Sequence, residues 1–453
     1  MNTHDVAVIG RGAIGSAAAL GFARAGWRLA LVAPAPASAP ATVQGPAPAT
    51  GLASSPRPAA ASSEDWDQRV YALSSASRRL LMDLGVWQSM DHARIAPIHD
   101  MRIFNLAGSG RRPPPEVHLD AYHGRVEALA WIVENRQLQG ALDRAIAATL
   151  QPSMLQRIDA EVESLTLPLT VESREGASLR FAGGGRLSPR LVIAADGTGS
   201  RLRELAGIDH VVRDYEQTAV VANFEAGLPH RDCAWQWFGA FGVVALLPLP
   251  SEDLGDGRSR VSLVWSAPRE AAAMALGEDG AALAARVEAM TERRLGDLRM
   301  ITPAAGFALR TVRCRQVIKP AFVLIGDAAH AVHPMAGQGM NLGFADVQCL
   351  LKHVAVRNSG SAFTPAPVGA SASGSGFAAD PGAAAFVGAD WYDLRRYERS
   401  RREQVATMQL ALDGLHRAFG KLPAPLVGLR DIGWSVVARS AWLRRRMIDH
   451  AVS

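Results

Sequence analysis

Phe322–Asp346 reads FVLIGDAAHAVHPMAGQGMNLGFAD. Phe322, Val323, Leu324 and Ile325 form a short apolar run of the kind a buried strand uses. Gly326-Asp327 ends the run, small residues follow, then His333-Pro334 and Gly337-Gln338-Gly339, and a helical pattern begins near Asn341. A strand that breaks into a glycine-rich loop and then a helix aims backbone N–H groups and the positive end of a helix dipole at one point. Such a point suits an anionic or electron-rich ligand. Asp327 stands at the carboxyl end of the strand, the edge at which open parallel sheets take up ligands. The stretch predicts an α/β fold with its site at this loop.

A second stretch of the same grammar opens the chain. Asp5–Ile9 (DVAVI) is a short apolar strand, Gly10-Arg11-Gly12-Ala13-Ile14-Gly15 follows, Ser16–Ala25 is a small-residue helix closed by Gly26, and Arg28–Ala33 is another strand. This is a βαβ unit with GxGxxG at its first turn. The glycines permit a tight turn, close approach of backbone to a pyrophosphate, and close packing of helix on strand. Units of this type usually end the second strand with an acid that binds a ribose hydroxyl. Here that place holds Ala33-Pro34, so adenosine binding must rely on other groups.

Between these stretches lie further elements. Arg69 precedes a strand-like VYAL, Ser74 or Ser75 caps a helix, and Leu80, Leu81 and Leu84 follow at helical spacing. Trp131–Leu150 reads as one helix with Arg136 and Gln139 near its start, where they are either phosphate contacts or solvated polar residues. Residues 162–190 alternate as hairpins, and Leu191–Ala195 is a buried strand that stops at Asp196-Gly197. Residues 215–268 read as an antiparallel sheet. Its Trp235, Trp237, Phe238, Phe241 and Trp265 suit either a core or the wall of a pocket for an apolar ring. A helix pair over 269–300 comes next. Residues 34–63 and 358–388, rich in Ala, Pro, Ser and Gly, read as flexible insertions. The C-terminal part is helical. Its last piece combines Leu426, Val427, Trp434 and Val437 with Arg439, Arg444, Arg445 and Arg446, which suits a helix packed on the main domain or an amphipathic segment that touches lipid.

Composition narrows the classes. At 453 residues the chain can form two or three domains, and 48% hydrophobic with 20% charged residues is ordinary for a globular protein. The net charge of +5 comes without a basic stripe bearing aromatics, so nucleic acid is not an expected partner. Cys233, Cys314 and Cys349 fit neither a metal pattern nor a disulfide framework, which predicts a reducing, cytoplasmic compartment and no metal. No apolar run is long enough to span a membrane, and the N-terminus reads as a first strand and helix rather than a signal peptide.

Three motifs now stand in order: GxGxxG at Gly10–Gly15, DGxxSxxR at Asp196–Arg203, and GDAAH…HPxxGQGxN at Gly326–Asn341. The set resembles the group A flavoprotein monooxygenases, the para-hydroxybenzoate hydroxylase-like enzymes. RVYALS (Arg69–Ser74), ENRQLQGAL (Glu134–Leu142), DYEQTAVVA (Asp214–Ala222), LLPLP (Leu246–Pro250) and HPMAGQGMNLGFAD (His333–Asp346) look like the ubiquinone-biosynthesis FAD-dependent hydroxylase family. The resemblance covers nearly all of the chain outside the two insertions. It implies a Rossmann-type FAD-binding domain over 1–77, 126–212 and 301–357, interleaved with an antiparallel-sheet substrate domain over 78–125 and 213–300, and a helical region over 389–453.

The resemblance also implies roles. Gly10, Gly12 and Gly15, with Ala13 and Ile14 between them, match the turn that binds the FAD pyrophosphate. Arg69 and Arg136 match arginines that contact FAD phosphates. Asp196, Gly197 and Arg203 match a motif associated with FAD and NAD(P)H. Gly326 and Asp327 match the pair at the ribityl and phosphate region, and Pro334, Gly337, Gln338, Gly339, Met340 and Asn341 match the loop packed on the isoalloxazine ring. His333 and Pro334 are candidates for tuning the flavin, and His330 is a titratable neighbour; each histidine is also open to a plain hydrogen-bonding role. One departure is Phe307-Ala308-Leu309, where family members more often show a phenylalanine-proline pair. The implied reaction is hydroxylation of the aromatic ring of a polyprenylated phenol or quinol on the way to ubiquinone, using NAD(P)H and O2 through a flavin hydroperoxide. Implied partners are a lipid-tailed aromatic substrate, other quinone-biosynthesis proteins and peripheral contact with the inner membrane. Two other readings remain open from sequence: hydroxylation of a small soluble aromatic, and a non-catalytic flavin-binding scaffold.

Overall fold

Five parallel strands form the centre of the computed structural model, in the order Phe322–Leu324, Leu191–Ala194, Val6–Ile9, Leu29–Ala33 and Leu155–Asp159. Ile318–Lys319 adds an antiparallel edge. The structure describes residues 4–34, 66–106, 116–149, 154–171, 173, 175–251, 254, 257–333, 338–354, 391–419 and 424–452. The flexible insertions expected over 34–63 and 358–388 lie outside the described residues, save Pro34. Every residue of Val6–Ile9, Leu29–Ala33 and Leu191–Ala194 is buried, as the continuous apolar runs require of strands covered on both faces.

Two helices on one face explain where the site lies. Ala13–Arg24 packs against Gln338–Val354 at contacts that need glycine. A Cβ on Gly21 would meet Leu351 Cδ1 at 2.6 Å, and one on Gly343 would meet Ile14 Cδ1 at 2.7 Å. Close packing of this pair brings their N-termini to the same edge of the sheet. The other face carries the hairpin strands Val162–Thr166, Ser178–Phe181 and Arg186–Leu187.

A second, larger sheet runs in the order His330–Ala331, Ala305–Cys314, His210–Ala226, Ser259–Pro268, Gly242–Leu249, Cys233–Gly239, Asp100–Asn105 and Val117–Asp120. Leu298–Met300 pairs with His210–Ala226. All pairings are antiparallel except Cys233–Gly239 with Asp100–Asn105. Helices Arg269–Gly277 and Gly280–Met290 cover one face, where Trp237 and Trp265 are buried. The Gly326–Ala328 turn leaves the parallel sheet and enters this one within a few residues, so the loop after Phe322–Ile325 joins the two sheets.

One expected element is corrected. Trp131–Glu134 is not the first turn of a helix but part of a strand, Ala130–Glu134, and the helix is Asn135–Thr149. The strand lies between Val70–Leu73 and Ala96–Ile98. Its WIVE run has the aromatic and β-branched residues that suit a paired strand, and pairing on both edges overrides the helical spacing. The helix expected near Asn341 begins at Gln338.

The C-terminal region forms Trp391–Phe419, Ala424–Arg439 and Ala441–Val452. Tyr397 Oη donates to the Leu324 carbonyl at 3.2 Å, which fixes the first helix to the Phe322–Leu324 strand of the parallel sheet. Trp434 meets Phe238 edge-on at 6.1 Å, and Ile448 packs in the same cluster as Ile103, Val117 and Leu119. This segment therefore packs on the main body through one side.

Candidate active site

The glycine turn is built by steric necessity. Gly10 has φ +115°, and a Cβ there would lie 2.2 Å from the Ala195 carbonyl oxygen. A Cβ on Gly15 would lie 2.1 Å from the Gly10 oxygen. Gly12 is different: a Cβ on it would meet nothing within 4 Å, because it faces open space at the N-cap of Ala13–Arg24. Gly339, in the first turn of Gln338–Val354, likewise faces open space. Two helix N-termini with bare backbone thus face one cavity. Unpaired N–H groups and two positive dipole ends suit a phosphate or a developing negative charge.

The Gly326–Ala328 turn is held by a buried ionic network. Gly326 has φ +59° and its N–H donates to Asp346 Oδ2 at 2.8 Å. His330 Nε2 lies 2.7 Å from the same oxygen, and Arg401 Nε donates to Asp346 Oδ1 at 2.6 Å. Arg401 also donates to the Leu342 carbonyl at 3.0 Å. Burial by itself would raise the Asp346 pKa, but His330 and Arg401 outweigh it and hold the carboxyl below its ordinary range. Asp327 has the opposite balance. It makes no hydrogen bond or ion pair with any described residue and lines the cavity. The surrounding protein raises its pKa, only partly offset by His330 and Arg69.

The cavity measures about 1530 Å³ and runs from Gly12 and Gly15 past Asp327 and Gln338–Asn341 to the uncovered face of the large sheet. That face presents Val221, Phe238, Val243, Ala245 and Val264, with Gln236 and Ser266 as polar interruptions. Its far end is closed by Trp434, Val437, Met447 and Ile448. Of the aromatic strand residues, Trp237 and Trp265 belong to the opposite, covered face, with Trp235 and Phe241 packed against them, whereas Phe238 faces the cavity. The arrangement can hold a dinucleotide at one end and an apolar ring compound at the other.

Not all candidate residues reach the cavity. Gly12, Ala13, Ile14, Gly15, Arg69, Gly197, Gly326, Asp327, Gln338, Gly339, Met340 and Asn341 line it. Pro334 and Gly337 lie outside the described residues. Arg69 extends over the rings of Tyr71 and Phe307, 5.4 Å from each. Arg136 instead turns to Asp67, its Nε 3.8 Å from Oδ2, while Asp67 also accepts from the Arg136 backbone at 2.8 Å. Asp196 caps the Arg201–Leu205 helix through Leu202 N at 3.0 Å, and its buried Oδ1 has no partner among the described residues. Arg203 is 2% exposed and donates to the Ala328 and Thr198 carbonyls at 2.9 and 3.0 Å, tying the Asp196 loop to the Gly326 turn. His333 is buried, with Nε2 2.8 Å from Gln217 Oε1 and its ring edge-on to Tyr215. Asn341 accepts from Ser74 N and Ser77 Oγ and donates to the Ala72 carbonyl, so it also ties the Gln338–Val354 helix to the strand after Arg69. Sequence reasoning missed Arg401 and the role of Asp346. Arg401 is one of several arginines in ERSRRE, and no spacing marks it as the one that is buried.

Comparison with known proteins agrees with this geometry. Residues 65–364 match the model of the FAD binding domain family. The chain is 28% identical over 451 residues to 3-demethoxyubiquinol 3-hydroxylase of Escherichia coli K12, covering 99% of this chain and 98% of that protein. It is 31% identical over 408 residues to ubiquinone hydroxylase UbiL of Rhodospirillum rubrum, covering 87% and 82%. Its fold is similar to that of p-nitrophenol 4-monooxygenase PnpA from Pseudomonas putida DLL-E4, with a TM-score of 0.66, 13% identity, and coverage of 100% and 99%.

Proposed function

The chain belongs to the ubiquinone-biosynthesis branch of the FAD-dependent aromatic-ring monooxygenases, and from that premise we propose that it hydroxylates the ring of a polyprenylated phenol or quinol. The observation that carries the substrate class is the apolar sheet face that lines one end of the cavity of about 1530 Å³. The dinucleotide takes the other end, and the apolar end leads along the sheet to Trp434 and Ile448, as a lipid tail would require.

The residues fit FAD on structural grounds: two bare helix N-termini, two glycines whose missing Cβ atoms leave open space, and an unpaired carboxylate between them. In this reading Gly10, Gly12, Ala13, Ile14 and Gly15 hold the pyrophosphate, and Asp327 accepts from ribityl hydroxyls. Arg69 lies near the phosphates, and the loop from Pro334 to Asn341 flanks the isoalloxazine. Segments 1–77, 126–212 and 301–357 carry the cofactor, and 78–125 and 213–300 carry the substrate. Bound FAD, reduced by NAD(P)H, supplies O2 activation and oxygen transfer to the ring. The protein's part is positional and electrostatic. The N–H groups of the Gln338 helix stabilise negative charge beside them. The apolar sheet excludes water from the reacting atoms. Gln236 and Ser266 offer hydrogen bonds to a ring hydroxyl and so fix which carbon faces the cofactor.

Deleting the gene in its host and identifying the accumulated quinone precursor by mass spectrometry tests this reading. The expected result is a prenylated ring compound lacking one hydroxyl, with hydroxylation by the purified flavoprotein faster on tailed than on tail-less phenols. Equal rates on both would point to a soluble aromatic substrate. A precursor defect restored by a variant that binds FAD but does not turn over would point to a scaffold.

A further inference from the structure

The second strand of the dinucleotide unit ends in Ala33-Pro34, without the acid that would hold the adenosine ribose. We propose that Asp159, on the neighbouring strand, takes its place and accepts from the ribose hydroxyls of FAD.

Four observations support the assignment. In the parallel register Ala33 stands directly beside Asp159, and Ala160 N donates to the Ala33 carbonyl at 3.0 Å, so the two strand ends are level. Both end at the edge where Gly10 N donates to the Val32 carbonyl at 2.8 Å, the edge of the glycine turn. Arg11, the second residue of that turn, reaches across to the new acid. Its Nη1 is 2.9 Å from Asp159 Oδ1, and its Nη2 donates to the Pro34 carbonyl at 3.1 Å. The backbone of Arg11 is itself fixed, because its carbonyl accepts from Gln139 Nε2 at 3.0 Å and Ser16 Oγ at 3.2 Å.

Asp159 is therefore not a loosely placed surface acid. The pairing with Arg11 uses Oδ1 and leaves Oδ2 without a partner among the described residues, on a side chain 58% exposed. A carboxylate held by one oxygen keeps the other for an incoming hydroxyl, and vicinal ribose hydroxyls offer two donors. The acid has moved one strand over, and the arginine inside the glycine turn orients it. Arg11 is a positioning residue in this arrangement.

The test uses the full-length protein stripped of flavin and titrated with two ligands by flavin fluorescence. One is FAD; the other is the FAD analogue whose adenosine ribose lacks both hydroxyls. The wild type is expected to prefer FAD by about tenfold or more, the effect of a hydrogen bond to a charged group. Asp159→Ala should lose about that factor toward FAD and bind the two ligands alike, while Asp159→Asn retains part of the preference. A variant that keeps the wild-type preference, or a wild type that shows none, would overturn the assignment. If the alanine variant fails to fold by circular dichroism, the asparagine variant makes the same comparison. A wild type that takes up neither ligand would overturn the FAD reading together with it, which separates the two failures.

Discussion

Asp327 is an exposed carboxylate on the wall of the cavity, with no hydrogen-bonding partner in the described chain. Its pKa is raised chiefly by the protein packed around it, against the pull of His330 and Arg69. A raised carboxyl binds its proton more tightly in the folded state. It therefore costs the flavin-free protein stability as pH rises above the ordinary value of 3.8, through the raised one. Two effects of Asp327→Asn follow with opposite sign. If Asp327 accepts from ribityl hydroxyls as proposed, FAD affinity falls by about 10-fold or more, as read by fluorescence titration. The melting temperature of the flavin-free protein at neutral pH rises, because a carboxylate disfavoured by its surroundings is gone. An unchanged affinity would remove Asp327 from the cofactor's contacts. At this scale the glycines, Asp327 and Asn341 were legible, because motif spacing marks them. Arg203 was legible as part of a motif, but its use as a strut between two loops depends on which carbonyls surround it.

The Gln338–Val354 helix is the element through which distant parts of the chain act on the Gly326 turn. Its Asp346 gathers His330, Gly326 N and Arg401, the last from a helix some fifty residues further along the chain. Removing one partner of a buried ion pair leaves the other uncompensated and costs about 3–5 kcal/mol. Arg401→Met is expected to lose that amount in urea unfolding of the holoprotein. The Asp346 pKa is depressed in the fold, so its contribution is complete above 3.8 and disappears as pH falls through the lower, folded value. Without Arg401 that depression shrinks, and the acid limb of the stability curve moves to higher pH. A loss under about 1 kcal/mol would show that water replaces the guanidinium without cost. Elements were mostly legible from periodicity, including the parallel strands and the Ser74 cap, whose hydroxyl accepts from Ser77 N. Trp131–Glu134 was not, because three apolar residues before a helix read the same either way until the two strand partners are known.

Across the whole molecule, the cavity is shared by the parallel sheet, the large sheet and the C-terminal helices, and its far end lies under Trp434 and Met447. The outer side of those helices carries Val436 at 53% and Trp442 at 65% exposure, with exposed Arg439, Arg445 and Arg446 nearby. Apolar anchors among arginines suit an interface with anionic lipid, from which a tailed substrate would enter beside Trp434. No helix among the described residues is long and apolar enough to cross a membrane. The purified protein is expected to sediment with vesicles containing anionic phospholipid, less so at high salt, and several-fold less after Trp442→Ala. Equal sedimentation with neutral vesicles at any salt would argue against an electrostatic contact.

The sequence by itself determined the sheet edge where the Gly10 and Gly326 turns lie. Tight turns, bare backbone and buried strands leave few residue choices, and those choices appear as short motifs at fixed spacing. It also determined that Trp237 and Trp265 were candidates for core or wall, but not which. Only the tertiary structure decided that, because a strand's two faces are equivalent until something covers one of them. Only it placed Asp346 with Arg401, and Asp159 beside Ala33, because ionic partners and strand neighbours are chosen by packing in three dimensions and leave no local period in the chain.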